Sequence, residues 1–316
     1  MPPNAPFELK PSPGKGWGVF ATRKIEQGDV ILRERPLFTI QKSAEEVTEE
    51  DLWMAFLQLK PDEGKQFQLL RDNGNASSPF SRMTHAFAEN SWLISGNPQI
   101  HGLYLLHSRF NHSCIPNSKV PSHSGEITSF AVRDIAPGEE ITFCYYTELK
   151  CMTMDERHKD LEFVCNCKAC LPGSAFQQLS DMRRTLMRGL NFFQTGTDPI
   201  GERLKSTSPI IPELRKEAEE FYTPLSARFI YNVLNLYLME EEGLMDDFVF
   251  ERCNPAVLKL STLFRTESND KIARLAVAQE TWLEKLFVAF RLYGRADAAD
   301  HLSAIGMRMS HGLPIS

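Results

Sequence analysis

Asn111-His112-Ser113-Cys114-Ile115-Pro116-Asn117 is the stretch on which the reading of this 316-residue chain turns. Taken alone, such an Asn- and Pro-containing heptapeptide is a turn carrying a buried histidine. Its neighbours change that reading. Upstream lies Gly14-Lys15-Gly16-Trp17-Gly18, a glycine-rich turn that runs into Val19-Phe20. Downstream come Gly138-Glu139-Glu140-Ile141-Thr142-Phe143-Cys144-Tyr145, and then Cys165-Asn166-Cys167-Lys168-Ala169-Cys170. Thiolates this close together repel one another unless a cation neutralises them, so the three clustered cysteines read as a metal site first. Structural zinc wants four ligands, and by residue type the fourth is Cys114, Cys144, Cys151, Cys253 or a histidine such as His158. A partly paired redox cluster is the bland alternative.

Composition sets bounds around these motifs. With 42% hydrophobic and 24% charged residues, the chain is neither disordered nor collagen-like. No segment approaches the ~18 uninterrupted apolar residues of a membrane span. The first residues, MPPNAPFELKPSPGKG, lack the apolar centre of a secretory signal. A soluble intracellular protein is expected. Net charge is −6, with 18 Lys and Arg against 22 Asp and Glu over residues 1–171 and 17 against 19 beyond. No basic region stands out, so direct nucleic-acid binding is not expected. The acidic surface tolerates a basic peptide or protein.

The element pattern divides the chain near residue 171. Trp17–Phe20, Val30–Leu32, Leu37–Ile40, Ile127–Val132 and Ile141–Tyr146 are short apolar runs bounded by turns, and read as strands. Ser43 with Glu46, or Thr48 with Asp51, offers a capping box ahead of Leu52, Trp53, Phe56 and Leu57 at helical spacing. Residues 72–80 read as a loop, and a further helix is expected from Met83 to about Trp92. Beyond Cys170 the texture is helical. Apolar stripes run through residues 227, 230, 231, 234, 237 and 238, and through Ile272, Leu275, Trp282, Leu286, Phe290 and Tyr293.

In this order and spacing, the 14–18 turn, NHSCIPN, GEEITFCY and CNCKAC resemble the SET domain of protein-lysine methyltransferases. The resemblance covers about residues 7–171. Its closest form is the SET and MYND type, but the MYND finger is missing; residues 41–90 contain no cysteine. The chain thus looks like a MYND-less, fungal-type relative. The resemblance implies an α+β fold: a β-rich SET domain over 1–150 with a knot-like crossing and a short helical insert at about 41–95. A zinc-binding post-SET loop over 151–171 and an α-helical C-terminal domain over 172–316 would follow.

The implied function is S-adenosylmethionine-dependent methylation of a lysine side chain on a protein, histone or non-histone. Asn111 and His112 would contact the cofactor at the crossing, and Lys15, Gly16 and Trp17 would hold its methionine end. Asn90 matches a further cofactor asparagine, and Phe163 matches an aromatic that stacks on adenine. Tyr145 matches the tyrosine at the methyl-transfer site, where it is both catalytic and cofactor-facing. Cys114 would join Cys165, Cys167 and Cys170 around one structural zinc. A monomer in nucleus and/or cytoplasm, with no membrane contact, is the accompanying expectation. Two positions depart from the pattern. Trp17 stands where relatives often carry Arg. Leu161 stands four residues before Cys165, where relatives usually carry an aromatic lining the lysine channel. Leu161 motivates the alternative of a catalytically weak SET-fold protein acting as an interaction module through its helical C-terminal half.

Overall fold

The computed structural model describes residues 2, 4–70, 77–96, 98–121, 123–195 and 198–200, and within 232–249 residues 232, 235, 236, 238–246, 248 and 249. The chain forms two compact units. One contains Met1–His112 and Pro116–Phe143; the other contains Ser113–Ile115 and the chain from Cys144 onward. Among the described residues no helix is long and apolar enough to cross a membrane.

The first unit is built of three small sheets. Strands β1 (Phe7–Ser12) and β2 (Gly16–Ala21) form a hairpin in which Ser12 faces Gly16 across the turn. Gly14 and Gly16 sit at φ of 75° and 82°, a backbone that side chains with a Cβ resist. Next come β3 (Val30–Glu34) and β4 (Phe38–Ile40). Then α1 (Glu49–Leu57), α2 (Pro61–Gln68) and α3 (Pro79–Asn90) make the helical insert. Strands β5 (Ser91–Gly96) and β6 (Gln99–Leu103) follow, and then β7 (Asn111–His112), β8 (Ser118–Lys119), β9 (His123–Ser124), β10 (Glu126–Ala131) and β11 (Glu140–Phe143). The sheets run β1-β2-β11-β7, β3-β10-β8 and β4-β6-β5, with β9 paired to β10.

Both capping boxes weighed in the sequence form. Ser43 with Glu46 closes a single 3-10 turn, and Thr48 with Asp51 opens α1. The third helix begins earlier than expected, because Ser78 caps it and Pro79 occupies its first position. It also ends earlier. Trp92 lies in β5, stacked on Phe143 with ring centroids 5.0 Å apart. The insert encloses its own core of Leu52, Phe67, Leu70, Met83 and Phe87 with Ile40 and Leu103. A second core of Phe7, Val19, Ile25, Ile31, Phe110, Ile135 and Ile141 lies under the hairpin sheet.

Two turns with related sequences meet in this unit: Arg23-Lys24-Ile25-Glu26-Gln27-Gly28-Asp29 and Arg133-Asp134-Ile135-Ala136-Pro137-Gly138-Glu139. Ile25 and Ile135 pair as an antiparallel bridge, and Gly28 and Gly138 share positive φ. In each turn the acidic residue accepts a backbone N–H three residues back, Asp29 from Glu26 and Glu139 from Ala136. The short length of the repeated segment hides this correspondence in the sequence.

In the second unit, Thr153 and Glu156 form a capping box for α4 (Met154–Leu161), which ends at Glu162 in the left-handed conformation. Helix α5 (Ala175–Thr195) follows. Their shared core includes Leu149, Cys151, Met152, Leu161, Ala169, Met187 and Met239. The apolar positions 227, 230, 231, 234 and 237, the stripe from Ile272 to Tyr293, and Cys253 all lie outside the described residues.

Candidate active site and metal centre

In the first unit, the glycine-rich turn and the Asn111 strand are joined through one carboxylate. Strand β11 runs antiparallel to β2 and parallel to β7, with Thr142 opposite Asn111 and Phe143 opposite His112. This register places Glu140 between the two. The Asn111 side-chain amide donates to Glu140 Oε1 at 2.7 Å and to the Trp17 carbonyl at 3.1 Å. Lys15 Nζ lies 3.2 Å from Glu140 Oε2, with the two side chains 24% and 19% exposed. Lys15, Trp17 and Asn111 are therefore brought together. Gly16 sets the turn, while Gly18 admits the carboxylate: a Cβ there would meet Glu140 Oε1 at 2.5 Å. Both amide donors of Asn111 are engaged, which fixes the direction in which its carbonyl oxygen faces.

His112 is buried in the same strand. Asn117 is a structural member of the motif. Its amide donates to Glu139 and to the Glu140 carbonyl, while its oxygen accepts the Thr142 N–H at 2.8 Å. Asn90 closes α3 and donates its side-chain amide to the Ala86 carbonyl at 2.7 Å.

The second unit holds the cysteines. The Sγ atoms of Cys114, Cys165, Cys167 and Cys170 all lie within 4.8 Å of one another. Cys114 is 3.9 Å from Cys165 and 3.5 Å from Cys170, sulfur to sulfur. A disulfide needs about 2.05 Å, whereas four sulfurs at ~2.3 Å from a central zinc stand about 3.8 Å apart. The spacing fits a tetrahedral metal and excludes a disulfide between Cys114 and either partner. Charge leads to the same answer. Hydrogen bonding to Cys165, then to Cys167 and Cys170, holds the Cys114 thiol far above the ordinary range. Hydrogen bonding from Cys114 brings Cys167 down to about 6, against the opposing effect of Cys165. The four thiols oppose one another's ionisation, and a divalent ion at the centre would let all four ionise.

Of the other candidates for the fourth ligand, His158 instead has Nε2 3.3 Å from the Cys165 carbonyl, and Cys151 sits in the core. Cys144 lies next to the Tyr146 carbonyl at 3.1 Å, and burial pushes its thiol up to about 11.

Tyr145 follows the end of β11 and is 39% exposed, with its ring edge-on to Phe163 at 6.3 Å between centroids. The structure thus pairs these two within the second unit. Leu161, the last residue of α4, is buried in the core that includes the cysteines. Sequence reasoning missed three polar groups here. Glu140 was read only as part of a motif. Arg157 and Arg184, both fully buried, donate respectively to Cys170 Sγ and to the Cys114 carbonyl. Charged residues default to solvent in a sequence reading, and no local signal marks these as buried.

Residues 16–146 match the family model described as "SET domain". The chain carries a SET domain. It is 32% identical over 185 residues to the histone-lysine N-methyltransferase set5 of Schizosaccharomyces pombe, a match covering 56% of this chain and 54% of that protein. A shorter region is 44% identical over 73 residues to the human histone-lysine N-methyltransferase SMYD3, covering 22% of this chain and 17% of that one. Another is 41% identical over 80 residues to the protein-lysine N-trimethyltransferase SMYD5 of Danio rerio, covering 22% and 19%. The chain thus spans about half the length of the first of these relatives and less of the others. The SET-domain match takes in Gly16, Trp17, Asn111, His112, Cys114 and Tyr145, and stops short of Phe163 and the three clustered cysteines.

Proposed function

We propose that this chain is an S-adenosylmethionine-dependent methyltransferase acting on a lysine side chain of a protein. The observation that carries the reading is the SET-domain match over residues 16–146, a segment in which Asn111 donates to Glu140 and to the Trp17 carbonyl, with Lys15 just ahead of it paired to Glu140. Bound S-adenosylmethionine supplies an electrophilic methyl on a sulfonium. The remaining work falls to the protein.

A cationic Lys15 beside an oriented Asn111 amide suits the carboxylate and ammonium of an amino acid. The turn at Gly14–Gly18 brings backbone close to that ligand, with His112 in the adjoining strand and Asn90 as a further contact. Phe163 offers an apolar face for an adenine ring. Methyl transfer to an amine needs alignment, exclusion of water and a neutral lysine, and requires no metal or covalent enzyme intermediate. Tyr145 accepts a hydrogen bond from an amine N–H through its phenol oxygen and so holds the nitrogen lone pair in line. An apolar surround disfavours the lysine ammonium and yields the neutral amine. With Leu161 buried and aliphatic, Tyr145 and the neighbouring Tyr146 supply the hydroxyl groups. The four cysteines hold one structural zinc that takes no part in the chemistry.

Two of the similar proteins are histone-lysine N-methyltransferases, and a lysine-bearing protein tail or loop is the substrate class that we propose. Incubation with methyl-labelled cofactor and a protein extract, followed by acid hydrolysis, tests the reading. Label in methyl-lysine is expected with the wild type and is strongly reduced with Tyr145→Phe. Cofactor binding without any methyl-lysine would instead favour a SET-fold interaction module, the reading that Leu161 motivates.

A further inference from the structure

We infer that two buried arginines, Arg157 and Arg184, act as the outer support of the four-cysteine metal centre, Arg157 bonding a thiolate and Arg184 fixing the chain at Cys114. The inference rests on the reading that the cysteines hold a metal.

Arg157 projects from α4 and is 0% exposed. One of its nitrogens, Nη2, lies 3.2 Å from Cys170 Sγ and 2.7 Å from the Ala169 carbonyl, while Nη1 donates to the Met152 carbonyl at 2.7 Å. Its Nε has no partner among the described residues, and the nearest carboxylate, Asp181, is 3.6 Å away and already accepts from Met154 and Gln177. Burying a guanidinium with an unsatisfied N–H is costly unless a negative group nearby repays it. A divalent metal with four thiolates carries a net charge of about −2, and an N–H···S bond from a cation stabilises such sulfur.

Arg184 reaches the other arm of the cluster. From α5 it donates to the Cys114 carbonyl at 2.9 Å and to the Leu149 carbonyl at 2.7 Å. Its Nε donates to Glu242 Oε1 at 2.8 Å, and Glu242 is fully buried. Glu242 also accepts from Ser180 and from Arg183. Cys114 is more than fifty residues from Cys165 in sequence, so its ligand geometry depends on contacts of this kind. The segment at Glu242 is thereby part of the support, which gives some of the chain beyond Cys170 a defined task within the second unit.

The test uses the full chain loaded with zinc, with release followed by a chromogenic chelator, and the cobalt-substituted protein for spectroscopy. Arg157→Met is expected to release zinc about 10–100-fold faster. It should also move the sulfur-to-cobalt charge-transfer band to lower energy, because the sulfur lone pairs lose a stabilising donor. Arg157→Lys, which keeps the charge but not the fork, should fall between, and Glu242→Gln should quicken release through Arg184. Arg188→Met is the control: Arg188 is buried on α5, one turn from Arg184, against Asp198 and Glu156 and away from the sulfurs, so its loss lowers stability without altering the cobalt band. A wild type that binds no zinc or cobalt overturns the metal reading and the inference with it. A wild type that binds metal, with an unshifted band and unchanged release in both Arg157 variants, overturns the inference alone.

Discussion

Replacing Gly18 with alanine probes the carboxylate that joins the two halves of the proposed cofactor site. An added Cβ would stand 2.5 Å from Glu140 Oε1, 3.0 Å from Asn111 Nδ2 and 3.1 Å from Phe20 Cε2. The carboxylate is held on both sides, by Lys15 at 3.2 Å and Asn111 at 2.7 Å, so it cannot yield without breaking one contact. Overpacking of this kind costs about 1–3 kcal/mol, and a lost hydrogen bond to a charged group adds about 1.5–3 kcal/mol. A loss of about 3 kcal/mol is expected, more than a hundredfold in the folding equilibrium. Gly16→Ala meets nothing within 4 Å and has only its φ of 82° to resist it, so about 1–2 kcal/mol is expected there. Urea unfolding followed by tryptophan fluorescence suits the comparison, because three of the four tryptophans, Trp17, Trp53 and Trp92, belong to the first unit. The double variant Gly18→Ala with Glu140→Ala provides the decisive arm. Shortening Glu140 removes the clash, so the double variant should be less damaged than the two single losses predict together. Strict additivity, or a Gly18→Ala protein within about 0.5 kcal/mol of wild type, would refute this account of the site.

Other outcomes follow from the same structure. Asn117→Ala leaves the Thr142 N–H without its acceptor and should cost about 2–3 kcal/mol in the same unfolding assay. Hydrogen bonding from Lys42, and then from the Thr48 backbone and side chain, lowers Asp51 from 3.8 to about 2. A depressed carboxylate stabilises the fold above pH 4, and that contribution is lost as pH falls from about 4 to 2. Asp51→Asn should therefore remove about 1 kcal/mol at neutral pH, after allowing for solvent screening, and nothing near pH 2, by urea titration across that range. Zinc uptake must expel protons from the thiols, so affinity measured by competition with a chelator should rise steeply between pH 6 and 8. Chelation should cost stability in the second unit, read as a lower melting temperature by circular dichroism.

The strands were legible because short apolar runs bounded by Gly and Pro have few other outcomes, and the two capping boxes announced where the insert turns helical. Helix α2 was not legible, since Gly64 interrupts it and only Phe67 and Gly64 are buried along it. Helix α4 was hidden for a related reason: in Met154–Leu161 the buried positions are Arg157 and Leu161, and an inward arginine erases the apolar stripe. The end of α3 was misplaced because Trp92 suits a helix face as well as a strand. At the candidate site, four cysteines separated by up to 56 positions could be grouped only through the family resemblance; the residues themselves left four cysteines and a histidine open for the fourth ligand. Glu140, Arg157 and Arg184 needed the structure, because burial of a charge is decided by partners that local sequence does not reveal.

Methyl transfer itself tests the central claim most directly. Wild type and Tyr145→Phe should be compared on the same preparations, with S-adenosylhomocysteine binding measured by calorimetry and methyl-lysine measured by mass spectrometry of extract proteins. The account predicts equal cofactor binding, and methyl-lysine that falls about a hundredfold when the aligning hydroxyl is removed. Cofactor binding in both with no methyl-lysine from either, or equal methyl-lysine from both, would contradict it.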